Sequence, residues 1–455
     1  MRIRLQPKAP IGVNHAGVTF LVGFLLLNCL LFLPLYLLNW EETTFLPLTM
    51  QRSSDWHAFA RNLFVMRENF DPFRFNIELV LLIVLLVNIR WLRRPGLRLF
   101  FVLFYFLGLS YYIYEAITLS IYQSEPVFYN HYYMALDGLG YLFAHLNFAA
   151  GLYLLGALAV LLAVWLIYQL ATLFYQSTIS VQWNAWARFA FLGIGVVFLI
   201  AARTEEGALA APTTVLSSLS YKVEGNIEKS LELYRQVASF DDSALQKAYD
   251  YSAYTLPRKP NLYFLFVESY GSVLYKRPDY RIDYSMLLKQ LKRALDQAGW
   301  YSTSTLSEAP TWGGGSWLSY TSTQFGLRID NHPYYLTLLN KYQHERYPHL
   351  GVFLQDQGYK SYRLSSLSVN LSQDSWDHYE QMYDVDGWYR FEDLNYHGPL
   401  YGWGPAAPDQ YALNYARQQI IDGNDPGQPF MLFLLHRHRI IPLPPSHRWW
   451  RIGTR

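Results

Sequence analysis

Residues 261–271 read NLYFLFVESYG, and this stretch decides the fold of the second half of the chain. The six apolar residues 262–267 lie between Pro260 and Gly271. Such a bounded apolar run predicts a buried strand of a parallel sheet. Glu268 follows this strand directly, at the edge where open α/β sheets bind ligands. The sequence therefore predicts a ligand-binding carboxylate, and the alternative is a surface Glu in a turn.

A glycine-rich turn, TWGGGSW at residues 311–317, precedes a stretch that can form a helix. Glycines let the backbone approach an anion closely, and Ser316 would lie in the first helical turn. Backbone N–H groups and the helix dipole favour a phosphate or sulfate there. They also favour the alkoxide of Ser316 over its hydroxyl, although the motif contains no base. The alternative is a flexible loop with an ordinary helix cap.

The chain is too apolar for an ordinary soluble protein, with 52% hydrophobic and 16% charged residues. Five apolar runs are candidates to cross a bilayer, which takes about 20 residues. These runs are residues 18–40, 77–91, 99–122, 151–175 and 187–202. The second and fifth runs are short, so buried helices of a soluble core are the alternative for those two.

Basic residues around these runs predict the orientation in the membrane. Arg2, Arg4 and Lys8 precede the first run, and Arg90, Arg93, Arg94 and Arg98 surround the end of the second. Residues 123–150 contain no Lys or Arg. By the positive-inside rule, the N-terminus lies in the cytoplasm and everything beyond residue 202 lies outside. The mixed charges of residues 41–76 argue weakly against this scheme. The first run is too long for a removable signal peptide and lacks a small-residue cleavage site.

Charge and cysteine content exclude several classes of protein. A net charge of +2 is too small to indicate a nucleic-acid partner. The single Cys29 excludes a disulfide framework and a cysteine-based metal site.

Residues 203–259 are polar and mostly helical in pattern, with Asp241 and Asp242 predicted to start a helix before Ser243. We expect this juxtamembrane linker to pack along the membrane face.

The apolar runs, the linker, the NLYFLFVESYG strand end and the GGGSW turn together resemble a known family. They are similar to the membrane-anchored sulfatase-like enzymes of the alkaline phosphatase superfamily, in particular the lipoteichoic acid synthase and phosphoglycerol transferase group. The resemblance implies an α-helical membrane bundle of about five transmembrane helices at residues 1–202. It also implies an alkaline-phosphatase-like α/β domain at residues 260–435, with a mainly parallel sheet that is incomplete at the C-terminus.

The resemblance also implies an active site. Glu268 and Ser316 would bind a divalent metal, Mn²⁺ or Mg²⁺ with Zn²⁺ as an alternative, and Ser316 would be the nucleophile. The group usually has threonine in this role, and Thr311 is the fallback. We expect Glu268 and Ser316 to meet at the C-terminal edge of one sheet. The substrate-binding residues would be Gly315, Trp376 and His378.

The pattern of the group stops after the apolar strand 429–435. Where the group carries further metal ligands, this chain reads HRHR at 436–439 and continues as a basic tail to residue 455 without an acid. His436, His438 and His447 are either metal ligands or part of a solvated tail. The sequence predicts a C-terminally truncated or frame-disrupted domain with half of its metal site missing.

The implied activity is transfer or hydrolysis of a phospho- or sulfo-ester at the outer face of the cytoplasmic membrane. Phosphoglycerol or phosphoethanolamine would pass from a membrane lipid to an envelope glycan through a covalent intermediate on Ser316. Two alternatives remain, an inactive family member and a membrane sensor or transporter whose outer domain binds an anion. Glu115, within the third apolar run, gives limited support to the transporter.

Overall fold

The structure is a computed structural model of the chain. It describes residues 13–39, 55–57, 71–122, 124–133, 135, 150–203, 215–267, 271–311, 314–369, 371–400 and 406–436. The chain divides into two compact units, one of Met1–Ala135 and His145–Arg235, the other of Leu136–Ala144 and Gln236–Arg455. The boundary at Arg235 falls inside the predicted linker.

Long apolar runs make the first unit helical. Its helices are α1 (Val13–Leu38), α2 (Ile77–Asn88), α3 (Arg98–Tyr122), α4 (Ala150–Ser180), α5 (Ala185–Arg203) and most of α6 (Leu219–Ala238). The first five coincide with the predicted apolar runs. Among the described residues, three spans are long and apolar enough to cross a membrane, namely His15–Leu38, Pro95–Tyr122 and Gly151–Ser180. Ile77–Asn88 and Ala185–Ile200 are shorter apolar helices. The unit is therefore consistent with a membrane protein.

Side-chain caps set the ends of α2, which is shorter than the predicted run. The Asn76 side chain accepts a hydrogen bond from the Leu79 backbone N–H at 2.7 Å. At the other end, the Arg93 guanidinium donates to the Leu86 carbonyl oxygen at 2.7 Å. Both caps satisfy backbone groups that a helix end leaves without partners. The 3₁₀ turn Arg90–Arg93 then replaces the helix.

Two glycines let pairs of helices in this unit approach closely. Helix α1 packs against α3 and α4, and α2 packs against α5. A Cβ added at Gly23 would lie 3.1 Å from the Phe174 ring, and one at Gly195 would lie 3.1 Å from Val84. Small residues at such contacts are typical of helices that pack within a membrane. In addition, β1 (Phe75–Asn76) pairs in parallel with β2 (Leu216–Ser217).

The second unit contains a four-stranded parallel sheet. Its strands are β3 (Leu262–Val267), β4 (Lys360–Ser365), β5 (Gly387–Tyr389) and β6 (Phe430–His436), in the order β3-β6-β4-β5. The two strands predicted at 262–267 and 429–435 are confirmed. The prediction that β3 is buried is wrong for one of its faces, where Tyr263, Leu265 and Val267 are about half exposed. Among the described residues, β3 is an edge strand and no helix covers this part of its surface.

The helices of this unit are α7 (Ser243–Ala248), α8 (Val273–Lys276), α9 (Pro278–Gln297), α10 (Ser316–Phe325), α11 (His332–Tyr342), α12 (Leu350–Asp356), α13 (Gln373–Tyr383) and α14 (Asp409–Ala416). The predicted helix start before Ser243 is confirmed, because Asp241 Oδ1 accepts a hydrogen bond from the Ser243 N–H at 2.9 Å. Helix α9 buries none of its residues. Helix α10 lies in a core with α11 and α13 and is therefore firmly held.

Candidate active site

The turn before α10 requires glycine for its backbone conformation. Gly314 and Gly315 have φ angles of 56° and 61°, in the left-handed region that other residues rarely adopt. A Cβ added at Gly315 would lie 3.6 Å or more from its nearest neighbours, so there is room for a side chain. Glycine is needed there because of the left-handed backbone conformation. Ser316 follows as the first residue of α10 and is half-buried. Trp312 and Gly313 lie outside the described residues.

Polar contacts from its own buried face fix the direction of α10. Thr321 and Gln324 are buried, and both reach Tyr383 at the end of α13. Gln324 also accepts a hydrogen bond from Arg363 of β4 at 3.1 Å. These contacts connect the helix to two other elements, so the position of Ser316 at its N-terminus is determined by the core.

Ser316 has an electrostatic setting that suits an anion, and the described residues place no base beside it. It lies at the N-terminus of a ten-residue helix, where the backbone dipole favours negative charge by about 0.3–1 kcal/mol. Within the described part of the chain, the Ser316 hydroxyl has no side-chain hydrogen-bond partner. The Thr311 hydroxyl, the fallback nucleophile, lies 3.1 Å from the Ser319 hydroxyl. The choice between Ser316 and Thr311 as nucleophile stays a prediction.

The strand end that precedes Glu268 lies beside α10. Glu268 itself is outside the described residues, so its separation from Ser316 stays a prediction. However, the ring of Phe266, two residues before Glu268, meets the ring of Tyr320 edge-on at a centroid distance of 5.0 Å. Tyr320 lies one helical turn after Ser316. The two predicted motifs thus come from neighbouring parts of the same unit.

The structure does not bring Trp376 and His378 together. Both lie on α13, but Trp376 is buried and His378 is exposed, as expected for positions two apart on a helix. The Arg390 guanidinium lies over the Trp376 ring, 4.5 Å from the ring centroid. The centroids of the Trp376 and Trp388 rings are 5.6 Å apart. These contacts account for Trp376 as a packing residue. A role in substrate binding for either residue stays a prediction.

Arg363 is a buried cation that the motif analysis missed. It is 3% exposed, and its guanidinium lies 4.0 Å from the Tyr383 ring centroid and 4.7 Å from that of Trp388. No carboxylate of the described residues forms an ion pair with it. Burial lowers the pKa of Arg363, because the interior disfavours its charge. The sequence signal that could have indicated this buried cation is an Arg inside the strand sequence KSYRLS.

The described residues do not form the metal site that the resemblance implies. Among them, no three His, Cys, Asp or Glu side chains lie close enough together to hold a metal ion. Of the proposed ligands, Ser316 is described in full, whereas Glu268, His438 and His447 lie outside the described residues. His436 is the last residue of β6, and its side chain is not described. Hard cations such as Mg²⁺ prefer about six oxygen donors, which one hydroxyl does not provide.

Comparison with known protein families, with curated proteins and with solved structures finds no match for this chain.

Proposed function

We propose that this chain is a membrane-anchored phosphotransferase or hydrolase of the sulfatase-like type, with Ser316 as the group that accepts the phospho or sulfo moiety. The donor would be a membrane lipid and the acceptor an envelope glycan or water. Phosphoglycerol or phosphoethanolamine is the group that a lipid headgroup would supply. The edge-on contact of Phe266 with Tyr320 carries this proposal, because it puts the strand before Glu268 beside the helix that starts at Ser316.

In the proposed first step, the Ser316 oxygen attacks the phosphorus of a phosphodiester. The new O–P bond forms as the bond to the leaving alcohol breaks, and the serine proton is lost to solvent while the alcohol gains one. An alcohol or water then attacks the phosphoserine and releases Ser316. The first N–H groups of α10 would stabilise the charge that develops on the phosphoryl oxygens.

We expect turnover to be slow. In the proposal, Glu268 and Ser316 would hold Mn²⁺ or Mg²⁺, or alternatively Zn²⁺, which would polarise the phosphate. The described part of the chain does not supply the remaining donors. Without a described base or a complete metal site, Ser316 stays mostly protonated at neutral pH.

The proposal includes a five-helix membrane bundle with the second unit outside the cell membrane. The three long spans and the pairing of the two shorter helices α2 and α5 support the bundle. The Arg90 to Arg98 cluster between α2 and α3 supports the orientation. Reporter fusions at Pro260 test it. A fusion that is active only in the cytoplasm would contradict the proposed topology.

Glu115, the residue that favours a transporter as an alternative function, has an ion-pair partner within the first unit. Its carboxylate binds Lys222 Nζ at 2.6 and 2.8 Å, and both side chains are almost fully buried. The alternatives are a catalytically inactive chain and a membrane sensor or transporter whose outer domain binds an anion. The phosphodiester assay described next distinguishes both from the proposed enzyme.

The test is an assay of the detergent-purified protein with bis(4-nitrophenyl) phosphate, with and without added Mn²⁺. We expect slow release of nitrophenol that Ser316→Ala abolishes and that Thr311→Ala, the matched control, retains. No release above buffer, or release that Ser316→Ala leaves unchanged, would contradict the proposal. Turnover as fast as that of an established phosphodiesterase would contradict only the expectation of slow chemistry.

A further inference from the structure

Helix α6 has three distinct faces, each a row of residues at helical spacing. One row, Lys222, Asn226, Ser230 and Leu233, faces the rest of the first unit and is buried or half-buried. A second row, Glu224, Glu228 and Glu232, is exposed. The third row lies between these two and is apolar, with Ile227 46%, Leu231 48% and Tyr234 54% exposed. An exposed apolar row of this kind needs an explanation, because water is an unfavourable contact for it.

The buried row fixes the rotation of α6 about its axis. Lys222 forms the buried ion pair with Glu115 of α3. The Asn226 side chain accepts a hydrogen bond from the Phe128 N–H at 2.7 Å, and the Ser230 hydroxyl accepts one from the Tyr129 N–H at 3.3 Å. These contacts run over about two helical turns, from Lys222 to Ser230, and hold the apolar row on the surface of the first unit.

Helix α6 packs against a candidate membrane span, because Lys222 binds Glu115 of α3. Tyrosines collect near the C-terminal half of α6. The Tyr234 ring meets the Tyr129 ring edge-on at 5.6 Å, and Tyr132 is 61% exposed. Tyrosines are enriched where a bilayer meets water, because the ring is apolar and the hydroxyl is polar.

We propose that α6 lies in the plane of the bilayer surface, with Ile227, Leu231 and Tyr234 at the boundary between headgroups and acyl chains and with the glutamate row toward water. The partner is lipid, recognised by apolar contact and not by charge. Of the three basic residues of α6, Lys222 and Lys229 bind the carboxylates of Glu115 and Glu125, and Arg235 shares the exposed polar face with three glutamates. Anionic lipid is therefore not required, unlike for a basic interfacial helix. The inference rests on the membrane location of the first unit and is independent of Ser316.

The test uses the full chain in phosphatidylcholine nanodiscs after Cys29→Ser removes the native thiol. A fluorophore is attached to a single cysteine, either Leu231→Cys in the apolar row or Glu228→Cys in the glutamate row. Both sites are exposed, so neither change disturbs the core. Intact folding is checked by the elution volume and the helical circular dichroism of each labelled protein.

We expect nitroxide-labelled lipid to quench the probe at residue 231 by roughly twofold or more, while iodide in water quenches it weakly, as for a side chain that enters the interface. The probe at residue 228 should show the reverse, and replacing part of the lipid by phosphatidylglycerol should change neither. Equal iodide quenching at both sites would overturn the proposal. So would a residue 231 probe shielded from both quenchers, which would mean that protein covers this row. Quenching that requires phosphatidylglycerol would overturn the claim that charge plays no part.

Discussion

The buried pair of Glu115 and Lys222 gives a sharp prediction for the first unit. Lys222→Met keeps most of the side-chain length but leaves the Glu115 carboxylate, 7% exposed, without the ammonium that binds both of its oxygens. Two unit charges about 4 Å apart attract each other by about 4 kcal/mol at an effective dielectric constant of about 20. Removing one partner of a buried pair typically costs about 3–5 kcal/mol, because the other charge stays buried.

This loss should be specific to the pair. We expect Lys222→Met to lower the free energy of unfolding by about 3 kcal/mol, and the double variant with Glu115→Gln to recover at least about half of that loss. Lys229→Met is the matched control on the same helix, since the Lys229–Glu125 pair is more than half exposed and should contribute less than about 1 kcal/mol.

Thermal unfolding in detergent, followed by tryptophan fluorescence, measures all four proteins. With about 2–4 °C per kcal/mol for a unit of this size, Lys222→Met should lower the Tm by roughly 6–12 °C. If the single and double variants lose equal stability, or if Lys229→Met costs as much as Lys222→Met, the pair does not have the role assigned to it.

Three further predictions concern the second unit. Burial, assisted by the charge of Arg346, lowers the pKa of His349 to about 3, so between pH 7 and 5 the unfolded chain binds a proton that the folded chain does not. The free energy of unfolding should therefore fall by about 2 kcal/mol from pH 7 to pH 5 in a denaturant titration. His349→Asn can still cap α12 and should lose clearly less over the same range; equal losses would refute the role of His349. Gly315→Ala should cost about 1–2 kcal/mol and abolish phosphodiesterase activity, whereas Gly299→Ala, at a φ of 76° on the surface, should be similarly strained yet keep the activity. If both variants lost the activity, the loss would come from general destabilisation and not from the turn before Ser316. Arg363→Met should destabilise the unit by about 2–3 kcal/mol, because it removes a buried cation–π contact and leaves the Gln324 oxygen without its donor; an unchanged Tm would contradict this.

Local pattern was sufficient to predict the elements. The apolar runs predicted α1 to α5, and LYFLFV predicted β3, because both signals depend on residues adjacent in the sequence. The ends of α2 were less predictable, since the Arg93 side chain reaches back to Leu86. The glycines before Ser316 were expected to allow close approach to an anion, and their left-handed backbone is an addition from the structure.

Contacts between distant residues were beyond this reasoning. Lys222 and Glu115 are 107 positions apart, and Thr321 and Tyr383 are 62 apart, so no spacing rule links them. The exposed face of β3 was missed for the same reason, because burial depends on whether another element covers a strand. Trp376 was expected near substrate, but whether a tryptophan packs or binds depends on neighbours such as Arg390 that only the fold supplies.

Mass spectrometry of the peptide that contains Ser316 tests the central claim most directly. The detergent-purified protein is incubated with bis(4-nitrophenyl) phosphate, with and without Mn²⁺, quenched in acid and digested. We predict a nitrophenyl-phosphoryl adduct on Ser316 that is absent from Ser316→Ala and present in Thr311→Ala. An unmodified Ser316 under both conditions, or the same extent of adduct elsewhere on the peptide in Ser316→Ala, would contradict the assignment of Ser316 as the acceptor of the phospho group.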